Sequence, residues 1–129
     1  PAVVEWNRGP LSHLAGHPLR DPRVVVVEKD IAELMRTQRG AYDAILQDVD
    51  NGPEGQTMES NNWLYSEAGL LAAAATLRPK GVLSFWSSKP NKDFVKLLRK
   101  TGYEVQEHPV RSRDAERGSH YVIWTARRS

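Results

Sequence analysis

Cysteine is absent from the 129 residues, so disulfides, thiolate metal sites and thiol nucleophiles are excluded. That absence fits a reducing compartment, and the protein is expected in the cytoplasm. A bilayer span needs roughly 20 consecutive apolar residues, whereas the longest uncharged apolar run here is Ala68 to Leu77. No membrane partner is expected. Gly-x-Gly does not occur either. Folds that cradle a dinucleotide or adenosyl group need such a turn after their first strand, because only glycine lets the backbone approach the ligand. His13, His17, His108 and His120 show no metal-ligand spacing and no His-Glu-x-x-His exists, so no metal site is expected. Ser87-Ser88 lacks the Gly-x-Ser-x-Gly elbow of an α/β-hydrolase.

Neither sign of charge dominates, with 18 Lys and Arg against 16 Asp and Glu. The two signs are nevertheless segregated. Basic residues gather in Lys89 to Lys100 and in Arg111 to Arg128, and acids between Glu28 and Glu67. The tail arginines alternate with strand-forming residues and have no aromatic stacking platform, so a nucleic-acid partner is not expected. Hydrophobic residues make up 40% and charged residues 26%, an ordinary balance for one globular domain covering residues 1–129. The Pro-Ala-Val-Val opening has no Met and no basic or apolar leader region, so a signal peptide is not expected and the start reads like the middle of a longer chain.

The pattern along the chain alternates. Val3, Val4, Leu11 and Leu14 suggest a short helix, a break at Gly9-Pro10 and a second turn ending near Gly16. Arg23 to Glu28 contains four consecutive valines, which suits a strand buried on both faces of a parallel sheet. Asp30 then caps a helix on Ile31, Leu34 and Met35 that runs to about Gly40. Asp43 to Val49 is the next strand. Ser60, Asn61 and Asn62 offer caps for a helix reaching about Leu77, which Arg78-Pro79-Lys80-Gly81 terminates. Val82 to Trp86 is a strand, and Phe94, Val95, Leu97 and Leu98 form the apolar face of a helix closed by Gly102. Tyr103 to Val110 and His120 to Ala126 read as a hairpin. The order predicts an α/β, Rossmann-like, mostly parallel sheet with helices on both faces and a C-terminal antiparallel hairpin.

In such sheets ligands bind at the carboxyl ends of strands, which directs attention to Asp48, Asp50 and Asn51, with Glu28 and Asp30 ending the neighbouring run. Asp, Asn, Gly and Pro are also the residues that build a plain turn, and Asp before a helix is an ordinary cap. A carboxylate facing a pocket could instead hold an ammonium group or accept a proton. Both readings fit the spacing. Trp6, Trp63, Trp86 and Trp124 are read as packing residues.

Four segments carry a resemblance: Val24-Val25-Val26-Val27-Glu28-Lys29-Asp30; Tyr42 to Pro53, reading Tyr-Asp-Ala-Ile-Leu-Gln-Asp-Val-Asp-Asn-Gly-Pro; Leu64-Tyr65; and Leu77-Arg78-Pro79-Lys80-Gly81-Val82-Leu83. Together they resemble the spermidine synthase-like aminopropyltransferases, which share the class I S-adenosylmethionine-dependent methyltransferase fold. The resemblance implies the later two-thirds of that catalytic domain, lacking its first two strands and glycine loop. It implies an amine acceptor, with Asp48 as the base that orients and deprotonates it, and Asp50, Asn51 and Tyr65 at the substrate. Asp30, Ile31 and Pro53 would face decarboxylated S-adenosylmethionine or S-adenosylmethionine, the co-substrate of the full-length form; no bound cofactor is expected in this chain alone. Asn51 stands where the family has a second Asp, and Trp86 where a polar residue is common. The bare sheet edges left by the missing strands imply a homo-oligomer. A methyltransferase relative and a non-enzymatic interaction domain are the alternatives.

Overall fold

The computed structural model describes residues 1–49, 52–54, 59–112 and 120–129, which group into two compact units, Pro1–Asp30 and Ile31–Ser129. In the first unit, helix α1 (Ala2–Arg8) is followed by 3-10 turns at Ser12–Ala15 and Pro18–Arg20, with Gly16 in the left-handed region between them. The expected helix, break and second turn are all present. Buried Ser12 meets His17 at 2.6 Å from Oγ to Nδ1. Asp21 receives the Arg23 guanidinium at 3.0 and 2.7 Å, and these bonds hold its carboxyl below the usual range.

The valine run departs from expectation. Residues 24–28 form no strand, and Val25 is 81% exposed. Branched side chains favour extended backbone, but a strand persists only where a neighbour takes its N–H and C=O groups. Among the described residues none does.

The second unit is built on a four-stranded sheet in the order β1-β2-β4-β3. Its strands are β1 (Tyr42–Gln47), β2 (Leu77–Ser87), β3 (Tyr103–Arg111) and β4 (His120–Arg128). β1 and β2 run parallel, and the β3–β4 hairpin docks antiparallel on β2. Helices α2 (Ile31–Thr37), α3 (Glu67–Thr76) and α4 (Lys92–Lys100) connect or precede the strands. The unit thus has the strand-helix alternation and closing hairpin that the sequence predicts.

Alternation sets which face is buried. Leu83, Phe85 and Ser87 of β2 and Val122, Trp124 and Ala126 of β4 are buried, and the residues between them are half-buried or exposed. Onto this face α2 contributes Ala32 and Met35, α3 contributes Leu70 and Ala73, and α4 contributes Phe94, Val95 and Leu98. Phe94 links the layers: its ring centroid lies 5.1 Å from Phe85 and 5.3 Å from Trp124, edge-on or tilted as aromatic quadrupoles prefer. The Thr76 hydroxyl, within 3.0 Å of the Met35 carbonyl and 2.9 Å of Ala72, ties α2 to α3. The opposite face carries Ala44, Leu46, Val82, Ser84 and the Trp86–Tyr121 pair, whose centroids are 5.1 Å apart.

Two boundaries differ from the sequence reading. The cap of α3 is Ser66, whose Oγ accepts from the Gly69 amide at 3.1 Å and donates to the Trp63 carbonyl at 2.6 Å. Residues Glu59–Tyr65, expected to begin that helix, form 3-10 turns. Arg78-Pro79-Lys80-Gly81 lies inside β2 as an irregularity, where the register with β1 slips between Tyr42 and Ala44 and Lys80 takes φ +65°. Gly81 is required there, because a Cβ would stand 2.8 Å from the Arg78 carbonyl oxygen and 3.1 Å from that of Asp43.

Candidate functional site

The parallel pair β1–β2 brings two loops to one end of the sheet. Gln47, the last residue of β1, is registered with Phe85, and Asp48 follows it as an exposed carboxylate. The chain then returns at Gly52 to the end of β2. Gly52 is buried at φ +107°, and a Cβ there would lie 2.1 Å from Ser87 Oγ. Only glycine permits that approach. Ser87 itself is fixed, its Oγ donating to the Lys89 carbonyl at 2.7 Å and accepting from the Lys89 amide at 3.3 Å.

Asn91 fastens the two loops together. Its Oδ1 accepts from the Phe94 amide at 2.9 Å as the cap of α4, while its Nδ2 donates to Glu54 Oε1 at 3.2 Å. One side chain therefore starts a helix and holds the loop after Asp48. Beneath these loops Tyr65, 6% exposed, packs its ring 5.6 Å from both Phe85 and Phe94. Gln47 is buried on the same face, and among the described residues its Nε2 has no hydrogen-bond partner.

The residues singled out from the sequence are distributed as follows. Asp48 and half-buried Pro53 belong to the β1 end and its loop. Tyr65 is a core residue under that end. Asp50 and Asn51 lie outside the described residues. Asp30 is exposed and closes the first unit, whereas Ile31 opens the second and packs on its core. Ser87, Glu54 and Asn91 were not anticipated at the site. Asn91 is legible as a helix cap, but nothing in the sequence pairs it with a glutamate 37 residues earlier.

Among the described residues no group of three or more His, Asp or Glu could hold a metal, and no helix is long and apolar enough to cross a membrane. A groove of about 450 Å³ is lined by Val82, Glu104, Val105, Gln106, Thr125 and Arg127. It lies at the opposite end of β2 from Ser87 and is bridged by the Glu104–Arg127 ion pair at 3.0 Å.

This arrangement has the class I S-adenosylmethionine-dependent methyltransferase fold. Among solved structures it is similar to spermidine synthase from Thermotoga maritima, with TM-score 0.69 and 19% identity over 99% of this chain and 41% of that one. It is equally similar to a spermidine synthase in complex with the transition-state analogue AdoDATO, with TM-score 0.70 and 20% identity over 99% of this chain and 44% of the other. Precorrin-6y C5,15-methyltransferase from Geobacter metallireducens gives TM-score 0.63 and 19% identity over 100% of this chain and 63% of its own. Neither a protein-family model nor a curated protein sequence matches the chain. The chain thus spans about two-fifths of the length of the spermidine synthases it resembles.

Proposed function

We propose that this chain carries the acceptor side of an alkyl-transfer site, with Asp48 as the base for an amine and aminopropyl transfer as the reaction of the whole enzyme. The observation that carries the reading is the end of the parallel pair: Asp48 leaves β1 there, Gly52 packs against Ser87, and Asn91 donates to Glu54. An alkylammonium ion with a pKa near ~10 is no nucleophile until a base takes its proton. An exposed carboxylate at a strand end can orient the ammonium group and receive that proton.

The adenosyl side does not fit the described residues. The sequence has no Gly-x-Gly, and the run before Asp30 forms no strand. No step through the co-substrate is therefore assigned to this chain. It is expected to be inactive alone.

Two titrations test the reading. Calorimetry with S-adenosylmethionine and with methylthioadenosine is expected to give no saturable signal, and micromolar binding of either would overturn the division of the site. Carbon-detected NMR during titration with an aliphatic diamine is expected to shift the Asp48 carboxyl more than those of Asp43 and Asp93. Equal shifts would reject Asp48 as the amine's carboxylate. A methyl-transfer relative is the second reading, supported by the similarity to the precorrin methyltransferase over the whole of this chain.

A further inference from the structure

Asp48 and Trp86 stand side by side on one face of the sheet. Gln47 is registered with Phe85, and one step further along the parallel pair brings Asp48 level with Trp86. Side chains alternate between the faces along a strand. Gln47 is buried and Val49 packs on the core, so the carboxylate between them belongs to the other face. Trp86, between buried Phe85 and Ser87, belongs to that face as well. A second ring follows on β4: Tyr121 lies 5.1 Å from Trp86 between centroids, with the planes 35° apart. Both rings are half-buried, and neither joins the core cluster of Tyr65, Phe85, Phe94 and Trp124.

We propose that Trp86 and Tyr121 are the wall of the acceptor site, and that the amine held by Asp48 carries one flat apolar group, as an arylalkylamine does, in place of a second ammonium group. The proposal rests on the reading of Asp48 given above and adds the class of acceptor. A carboxylate that holds an ammonium ion also fixes where the rest of the molecule begins. Neighbouring strands lie about 4.8 Å apart, so the carbons next to the nitrogen fall over the indole of Trp86. An aryl group a short chain further on then meets Tyr121, in the tilted or offset contact that aromatic rings prefer.

Charge on this face decides against a diamine. A second ammonium ion would need a second carboxylate on the wall. Among the described residues, the neighbours of the two rings on this face are Ser84, His108, Val110 and Ile123, none of them acidic. Glu104, at the far end of β3, is already paired with Arg127 at 3.0 Å. An ammonium group brought against the rings would lose hydration without gaining an ion partner. An aryl group loses nothing there.

Titration with millimolar 2-phenylethylamine and with 1,4-diaminobutane tests this, read by NMR at the Asp48 carboxyl and the Trp86 indole N–H. The aryl amine is expected to bind about fivefold tighter, the size of one aromatic contact, and to shift both signals. The diamine is expected to shift Asp48 alone. Trp86→Leu and, independently, Tyr121→Leu keep apolar volume and remove a ring, and each should bring the two affinities level without changing the circular dichroism. Equal affinities in the wild type overturn the proposal and leave the Asp48 reading intact. A preference that survives both leucine variants does the same, and if both also melt earlier, the ring pair is assigned to packing. If neither amine moves the Asp48 signal, the amine site itself falls and the proposal with it.

Discussion

The Tyr103 hydroxyl donates a 2.7 Å hydrogen bond to the backbone carbonyl of Leu70, so that the first residue of β3 is tied to the middle of α3 inside the core. Tyr103 is buried there, and burial pushes its phenol well above the ordinary value, with nearby Arg128 opposing only in part. The unfolded chain ionises this group near pH ~10, while the folded chain resists. Stability from this group is therefore full below about pH 10 and falls as pH rises beyond it, because the unfolded state binds fewer protons there. Tyr103→Phe is expected to cost roughly 1 kcal/mol at neutral pH, from the lost hydrogen bond. The difference between wild type and variant should shrink at high pH. Urea melts across that range measure both effects.

Gly52→Ala tests how the loop after Asp48 is seated. The substitution is strained at φ +107° and drives a methyl into Ser87 Oγ. A loss of roughly 1–3 kcal/mol is expected. Adding Ser87→Gly should recover part of it, since the two residues touch and their effects are not additive. Full additivity in the double-mutant cycle would show that the loop does not rest on Ser87.

Asn91 does two things that separate chemically. Asn91→Ala should lose about 1 kcal/mol as the cap of α4 disappears. Asn91→Asp keeps the capping oxygen but places a carboxylate against Glu54, so the helix is retained and the tether is not. Amide exchange at Gly52 and Glu54 should then quicken in both variants, whereas stability drops mainly in the first.

Asp48→Asn distinguishes a site from a turn. An exposed group with no structural duty changes stability by less than about 0.5 kcal/mol. A denaturation midpoint that stays put, together with loss of the diamine-induced shift at this position, is the expected outcome. A loss above 1 kcal/mol would identify Asp48 as a structural residue of the turn.

Much of this fold is legible locally. The alternation of buried residues in β2 and β4, the Asn91 cap and the hairpin after Gly102 follow from side-chain period and turn chemistry, which act over a few residues. The α3 cap was misplaced because Asn61 and Asn62 are as good cap formers as Ser66, and only packing of Leu64 and Tyr65 into the core decides among them. Asp48 was visible as a strand-end carboxylate. Its loop contacts with Ser87 and Asn91 were not, since each joins residues more than 30 positions apart.

The sequence by itself determined the order of elements from Ile31 onward, the lack of thiol chemistry and the lack of a Gly-x-Gly turn in these residues, because composition and short-range pattern suffice for those. The tertiary structure alone decided that the valine run is no strand and that Asn91, at the start of α4, reaches Glu54 after β1. A strand exists only by virtue of its neighbour, and which segments become neighbours is settled by long-range pairing that no local window contains.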